Sequence, residues 1–173
     1  GEFFRRGKIP VPRTYAVRSL RDLEGIFTRF PQGSILWCRA RRGARAVGAA
    51  PVMTAEQARA WFTLWRDLRG VAVSDFTLSE YLPGRHFIVP SVWSNGTLLR
   101  VQATEVLSYF AAGNNPSGIF SLSSLAKTVM ADKALRTALD AVPALEGRPT
   151  GAFSVELKET VDGVPAITEI NVG

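Results

Sequence analysis

The chain has very little of two residue types that often carry chemistry, with one cysteine, Cys38, and one histidine, His86, among 173 residues. A single cysteine excludes an internal disulfide and a metal cage built from several thiolates. No apolar run is long enough to cross a bilayer, and no signal-peptide pattern is present. We therefore expect a cytoplasmic protein without membrane contact.

The composition indicates a folded, basic protein. Hydrophobic residues make up 46% of the chain, enough to bury a core, and the simplest arrangement is one compact unit of two lobes. The net charge of +6 and the pI of about 10.1 suit a polyanionic partner, either a nucleic acid or the phosphates of a nucleotide. Charge alone does not separate these two. The chain opens on "GEF" without an initiator Met, and we expect an excised piece of a longer protein.

The local patterns predict an alternation of strands and helices. "IPVPRTYAV" and "GSILWCRA" are typical of strands, and each is followed by a capped helix, the first with Ser19 and Asp22 in a capping box. The second helix begins at Thr54 and ends at Gly70. From Val71 the pattern turns to strands, with a tight turn at residues 95–96 and one further helix over residues 132–142.

The last segment, "GAFSVELKETVDGVPAITEINVG", predicts a hairpin that gathers oxygen ligands. A two-residue turn at Asp162-Gly163 places Glu156 directly opposite Glu169, and Asn171 is the next residue on the same face. Two facing carboxylates repel unless a cation lies between them, and oxygen ligands of this kind suit Mg²⁺. The alternative is a solvent-exposed polar face on which Lys158 offsets the charge.

Four segments together resemble an ATP-grasp domain of the carbamoyl-phosphate-synthetase-like branch. "GKIPVPRTYAV" is similar to the lead-in of that family, "ILWCRARRGARAVG" to its strand and glycine loop, "SEYLPGRHF" to its linker, and "FSVELKETVDGVPAITEIN" to its closing hairpin. The resemblance implies an α+β fold with a smaller lobe over residues 1–70, a larger lobe over residues 71–173, and a nucleotide cleft between two antiparallel sheets.

The resemblance assigns residues to the phosphates of ATP. Arg39 falls where the family has a phosphate-binding Lys or Arg, and Gly43 and Gly48 belong to a loop that resembles the family's lid. The alternative for Arg39 is a solvated basic cluster with Arg41, Arg42 and Arg45. Arg100 could face the phosphates, or it could be an exposed strand arginine.

The resemblance also assigns residues to the nucleoside. The backbone of Ser79, Glu80, Tyr81 and Leu82 is expected to bind adenine, with the Glu80 side chain near the exocyclic amine; a cap or a surface ion pair is the competing role for Glu80. His86 stands close to where the family usually has an acidic residue for the ribose hydroxyls, and it could donate to a hydroxyl or be a surface imidazole.

Glu156, Glu169 and Asn171 fall on the family's ligand positions for Mg²⁺ or Mn²⁺. The implied chemistry is transfer of the γ-phosphoryl group of ATP to a carboxylate, which gives an acyl phosphate that an amine attacks. The usual Pro-Arg after the metal-binding Asn is replaced by Val172-Gly173.

The expected partners are ATP, a carboxylate and an amine of unknown identity, and an amino-terminal domain of the same protein that this chain lacks. A homodimer is left open. Because the acceptor half of the site is missing, we expect the fragment alone to bind nucleotide weakly and to be inactive as a ligase. The competing hypothesis is a basic module that binds nucleic acid through Arg39, Arg41, Arg42 and Arg45, although the sequence shows no nucleic-acid motif.

Overall fold

The structure is a computed structural model that describes residues 9–41, 48–110 and 122–173. Gly43, Arg42 and Arg45 lie outside the described residues. The contacts divide the chain into two units. Among the described residues, the first unit comprises 13–41, 48–81, 110 and 122, and the second unit comprises 9–12, 82–109 and 123–173.

The first unit is a four-stranded antiparallel sheet with helices, in the strand order β1-β4-β2-β3. Its elements are β1 (Thr14–Ala16), a 3₁₀ turn (Leu20–Asp22), α1 (Leu23–Phe27), β2 (Leu36–Ala40), β3 (Ala50–Val52), α2 (Ala55–Arg69), a second 3₁₀ turn (Val73–Asp75) and β4 (Phe76–Glu80). β4 pairs with β1 and β2, so this sheet extends past residue 70, where the sequence division put the start of the larger lobe.

The predicted helix ends of the first unit are confirmed. The Ser19 side chain and Asp22 form the capping box, and the Thr54 hydroxyl accepts a hydrogen bond from the Gln57 amide at 3.2 Å. Gly70 ends α2 with φ +65°, a conformation that glycine adopts without a Cβ penalty. The extended stretch predicted over residues 9–17 forms a strand only at β1.

The core of the first unit lies between α2 and one face of the sheet. The rings of Phe62 and Phe76, both fully buried, stack with their centroids 4.4 Å apart. Leu36, Cys38 and Leu78 extend this core along β2 and β4. The alternation along β2 leaves its other side chains on the opposite face of the sheet.

The second unit is a six-stranded antiparallel sheet with one helix. Its elements are β5 (His86–Ser94), β6 (Thr97–Val101), β7 (Thr104–Tyr109), β8 (Ser123–Thr128), α3 (Asp132–Glu146), β9 (Gly151–Glu159) and β10 (Pro165–Val172). The strand order is β10-β9-β5-β7-β8, with β6 paired to β5. The predicted turn at Asn95-Gly96 is confirmed, and α3 runs four residues past its predicted end at Val142. Among the described residues, no helix has the length and apolarity to span a membrane.

Strand β9 separates the two faces of the second sheet by strict alternation. Phe153, Val155 and Leu157 are buried in a core with α3, whereas Ser154 and Glu156 are half-buried on the other face. We call the face that carries Ser154 and Glu156 the outer face. Its side chains are therefore the ones available to a ligand.

The Pro-Gly turn before β5 is held against the end of β9 by an ion pair. Arg85 donates from Nε and Nη2 to the two carboxylate oxygens of buried Glu159, at 3.0 and 2.8 Å. The Gly84 amide donates to the Glu159 carbonyl at 3.0 Å, and a Cβ on Gly84 would lie 2.5 Å from the Glu159 Cβ. Only glycine allows this close approach of the two backbones.

This ion pair predicts a pH dependence of stability. The hydrogen bond from Arg85 lowers the pKa of Glu159 below its ordinary value of 4.5. A carboxyl with a lowered pKa stabilises the fold above its unfolded pKa, and this stabilisation is lost as the pH falls through the folded pKa. We expect Glu159→Gln to melt at a lower temperature than wild type at pH 7, with a smaller further loss between pH 5 and pH 3. Melting curves across that range test this, with exposed Glu146→Gln as the control; a parallel loss in both variants would contradict it.

Candidate functional site

The loop of the closing hairpin differs from the prediction. A two-residue turn at Asp162-Gly163 is wrong, because Thr160 and Val164 close a three-residue loop, with the Thr160 amide donating to the Val164 carbonyl at 2.9 Å. Gly163 has φ +71°, and its amide donates to the Thr160 carbonyl at 3.0 Å. This is the common three-residue hairpin loop, in which a type I turn is followed by a left-handed glycine.

A bulge in β10 restores the predicted pairing. Next to the loop, Ile167 pairs with Leu157, but the register shifts at Thr168, and Glu169 then pairs with Glu156. The Thr168 hydroxyl donates to the Glu156 carbonyl at 3.2 Å and so ties the bulge to its partner residue. The predicted pairing of Glu156 with Glu169 is therefore confirmed. Without the bulge, Thr168 would oppose Glu156, and Glu169 would turn to the buried face.

The outer face thus carries two facing carboxylates and a carboxamide. Glu169 and Asn171 are exposed, the Glu156 side chain is 30% exposed, and Ile170 between the first two packs against the core. Asn171 pairs with Ser154 across the strands. Among the described residues no three His, Cys, Asp or Glu side chains are gathered as a metal site, so any ligand set here must combine the two glutamates with the amide of Asn171.

Lys158 shares the outer face with Glu156, two residues along β9. Its side chain is half-buried, and burial lowers the pKa of the lysine ammonium. A cation at this position favours ionised carboxylates on the same face. Lys158 therefore lies where the sequence analysis placed it, on the same face as the two glutamates, and offsets part of their negative charge.

His86 is mostly enclosed, in contrast to a surface imidazole. Its side chain is only 11% exposed, its Nδ1 is hydrogen-bonded to the Tyr109 hydroxyl, and its Nε2 lies 3.5 Å from the Glu156 carboxylate. Its buried Nε2 has no hydrogen-bond partner among the residues that the structure describes. His86 is thus next to a predicted metal ligand, and its contact with the ribose remains a prediction.

Arg100 lies on the same outer face. It pairs with Val92 on β5, and Arg100, Ser154 and Asn171 line one open pocket of about 400 Å³. The strand pairing therefore brings Arg100 together with part of the predicted metal set within the second unit.

In the first unit, Arg39 lies on the face of the sheet that points away from the core. It pairs with Thr77, and Trp37 pairs with Ser79, so these four residues share the face of the sheet opposite the Phe62 core. The Arg41 side chain is exposed, and its guanidinium donates to the Ser74 carbonyl at 3.0 Å and lies 3.9 Å from the Asp75 carboxylate.

Gly48 is fixed in place by aromatic side chains. The Trp61 indole donates to the Gly48 carbonyl at 3.0 Å, and a Cβ on Gly48 would lie 2.9 Å from the Phe76 ring. Its φ of +67° is left-handed. Gly48 is therefore held by two aromatic side chains, and its place in a lid remains a prediction.

Gly33 offers a matched comparison for Gly48, since its φ is +79° and no atom lies within 4 Å of its Cβ position. Alanine at either position meets the backbone cost of roughly 1–2 kcal/mol, but only Gly48→Ala also meets the Phe76 ring. We expect Gly48→Ala to be less stable than Gly33→Ala by about 1–3 kcal/mol. Urea unfolding of both variants measures the difference, and equal losses would show that the ring contact contributes nothing.

The linker residues lie where the chain passes from the first unit to the second. Ser79 is buried in β4, Tyr81 contacts the Trp37 ring with centroids 6.2 Å apart, and Leu82 is buried. The Glu80 carboxylate accepts a hydrogen bond from the Arg13 amide at 3.3 Å and lies 4.0 Å from the Arg13 guanidinium. A surface ion pair is the alternative role that the sequence left open for Glu80. The contact of Glu80 with adenine remains a prediction.

Three residues that contact the predicted site residues were not identified from the sequence. Ser154 follows from the alternation that identified Glu156, because it lies two residues earlier on the same strand and pairs with Asn171. Arg13 contacts Glu80, and Tyr109 contacts His86, although each pair is far apart in the sequence. No local sequence pattern predicts these two contacts.

Comparisons with known proteins rest on structure alone. No family model matches the chain, and no curated protein matches it by sequence. Solved structures do match over nearly the whole chain. D-alanyl-alanine synthetase A from Vibrio cholerae has a TM-score of 0.70 at 17% identity, with 99% of this chain and 53% of that chain covered.

Two further solved structures are similar to the same extent. Carboxyaminoimidazole ribonucleotide synthase from Aspergillus clavatus, complexed with ATP, has a TM-score of 0.69 at 16% identity and covers 98% of this chain and 42% of that chain. D-cycloserine synthetase DcsG has a TM-score of 0.69 at 16% identity, with 99% of this chain and 60% of that chain covered. The chain thus spans about half the length of these neighbours. The TM-scores show a shared fold, and at identities this low they show the fold alone.

Proposed function

The chain has the ATP-grasp fold, and from this premise we propose that it is the ATP- and Mg²⁺-binding part of a ligase. That ligase activates a carboxylate as an acyl phosphate for attack by an amine. The observation that carries the proposal is the pairing of Glu156 with Glu169, beside Asn171, on the outer face of the second sheet. The carbamoyl-phosphate-synthetase-like branch is part of the proposal and rests on the sequence resemblance.

The residues on this face fit a hard divalent cation. Two carboxylates directly opposite each other in an antiparallel pair have Cβ atoms roughly 5 Å apart, close enough to share one cation. Lys158 offsets part of their charge from the same face of β9. Carboxylate and carboxamide oxygens are ligands that Mg²⁺ and Mn²⁺ accept, with the phosphates of ATP completing the shell. Glu156, Glu169 and Asn171 would hold the ion, which would neutralise phosphate charge when bound.

The proposed reaction proceeds in two steps. A carboxylate oxygen attacks the γ-phosphorus of ATP, the bond to the bridging oxygen breaks, and ADP leaves with the electron pair. The amine then attacks the acyl carbon of the acyl phosphate, the carbon–oxygen bond to phosphate breaks, and the amine nitrogen loses a proton. Phosphoryl transfer depends on holding both reactants in line.

We assign the remaining ATP contacts by the resemblance. Arg39 is proposed to bind the phosphates, because a guanidinium can donate two parallel hydrogen bonds to phosphate oxygens. The backbone of residues 79–82 is proposed to bind adenine, and His86 the ribose. Neighbours of about twice this length support the further proposal that complete ligation needs protein beyond this chain.

The metal role predicts a specific loss in one variant. We expect Mg-ATP to raise the melting temperature of the wild-type chain and Glu169→Gln to weaken that binding at least tenfold, because a neutral amide replaces a charged ligand. Without nucleotide, Glu169→Gln should melt close to the wild-type temperature, since Glu169 is exposed and lies outside the core. Thermal melts over a Mg-ATP titration measure both effects.

Asp162→Asn is the matched control, because it removes a carboxylate from the exposed tip of the same hairpin. We expect this variant to keep the wild-type response to Mg-ATP. If Glu169→Gln and Asp162→Asn both responded like wild type, the metal role of β10 would be refuted.

A nucleic-acid-binding module is the competing function, and the ion pair of Arg41 with Asp75 reduces the basic cluster on which it rests. We expect a short single-stranded oligonucleotide to leave the melting temperature of the chain unchanged at 150 mM salt, while Mg-ATP raises it. A shift produced by the oligonucleotide alone, and lost steeply between 50 and 200 mM salt, would favour the competing function.

A further inference from the structure

His86 is the only histidine of the chain, and one of its ring nitrogens is buried without a hydrogen bond to the described residues. The side chain is 11% exposed, and the unpaired atom is Nε2. Polar atoms that are buried away from water are nearly always paired, because an unpaired one loses its hydrogen bonds to water without replacement. This nitrogen therefore points to a role for the ring beyond packing.

Glu156 is the acceptor that the structure places next to Nε2. Its Oε2 lies 3.5 Å from Nε2, slightly longer than a hydrogen bond. Lys158, which pairs with His86 across the strands, carries only donors. On the other side of the ring, Nδ1 is hydrogen-bonded to the Tyr109 hydroxyl, and the planes of the two rings are 18° apart.

These contacts fit one tautomer of the imidazole. A carboxylate only accepts hydrogen bonds, so a bond between Nε2 and Glu156 requires the proton on Nε2. In the neutral ring Nδ1 is then an acceptor, and the Tyr109 hydroxyl can donate to it. Tyr109 and Glu156 thus favour the same tautomer from opposite sides of the ring.

We propose that His86 is a positioning residue for Glu156: Nε2–H donates to the carboxylate, and the Tyr109 hydroxyl fixes the ring in the tautomer that can do so. This inference rests on the proposed function, because it takes Glu156 as a ligand of the divalent ion. Ligating carboxylates are commonly held by a further hydrogen bond, and its removal weakens metal binding. With one oxygen held by His86, the other stays available on the face that carries Glu169.

This arrangement changes one assignment made from the resemblance. Both ring nitrogens of His86 are engaged within the second unit, so neither remains for a ribose hydroxyl. His86 therefore acts on the metal side of the nucleotide, and its effect on ATP binding should require the divalent ion.

Nuclear magnetic resonance tests the tautomer, on a chain prepared without a histidine tag and labelled with ¹⁵N in the histidine ring. The ring signals come from His86 alone, because the chain has no other histidine. At pH 8.5 we expect the proton on Nε2, and we expect Tyr109→Phe and Glu156→Gln each to reduce the fraction of rings in this state. Tyr15→Phe, which removes a hydroxyl from the first unit, should leave the signals unchanged. An Nε2 without a proton, or a ring that neither Tyr109→Phe nor Glu156→Gln affects, would overturn the proposal.

Two substitutions of His86 separate donation to Glu156 from packing. The side-chain amide of glutamine can place an N–H near the position of Nε2, whereas the shorter asparagine reaches only the position of Nδ1. In calorimetric titrations with Mg-ATP, His86→Asn should bind about tenfold more weakly than wild type, and His86→Gln should retain most of the affinity. Equal losses in the two variants would overturn the proposal, and circular dichroism of each variant confirms that it is folded.

Titration with ATP in the presence of EDTA distinguishes a metal-side role from a ribose contact. Without a divalent ion, His86→Asn should match wild type whatever the affinity, and a loss in His86→Asn under these conditions would favour the ribose contact and overturn the positioning role.

The Mg-ATP titrations also separate this inference from the proposed function. Binding of Mg-ATP with wild-type affinity by His86→Asn would overturn the inference and leave the proposed function standing. If the wild-type chain did not bind Mg-ATP, while the ring signals responded to Glu156→Gln as expected, the proposed function would be overturned and only the contact between His86 and Glu156 would remain.

Discussion

The alternation of side chains along β9 is the constraint on which the second unit depends. This strand pairs with β5 on one side and β10 on the other, so its two faces set the two faces of the sheet around it. Phe153, Val155 and Leu157 commit one face to the core, and the residues between them are left outside. A shift of one residue would bury Glu156 and expose the core, which makes the register costly to change.

The outer face of the second sheet contributes less to the free energy of folding than the buried face, because it places two like charges opposite each other. Glu156 faces Glu169 across β9 and β10, and Lys158 and His86 lie on the same face, whereas the core beneath them is apolar. Residues that conflict with local stability are common at functional sites, because the favourable partner arrives with the ligand. The ion pair of Arg85 with Glu159, at the end of the same strand, joins opposite charges and holds the Pro-Gly turn against β9.

The sequence predicts those features that depend on short spacings. The capping box at Ser19, the ends of α2 and the turn at Asn95-Gly96 follow from local patterns and are confirmed. The two antiparallel sheets, which the family resemblance implies, are confirmed as well. The pairing of Glu156 with Glu169 is also confirmed, although the two-residue turn used to derive it is wrong. The loop is one residue longer than predicted, which shifts the strand register by one residue, and the bulge in β10 shifts the register back before Glu169.

Features that depend on distant partners could not be predicted in this way. His86 is enclosed because β7 and β9 pair on either side of β5, and Glu80 meets Arg13 because β1 pairs with β4. The fixed conformation of Gly48 depends on Trp61 and Phe76, which come from a helix and a strand that follow it. Each of these contacts requires the sheet order, which a single sequence does not reveal.

The bulge at Thr168 shows that one spacing in the sequence is compatible with two hairpin geometries. A two-residue turn with an unbroken strand and a three-residue loop with one bulge both bring the same two glutamates together over the same length of chain. The number of residues between the two glutamates is therefore the same in both hairpins, and that spacing alone does not reveal which loop joins the strands.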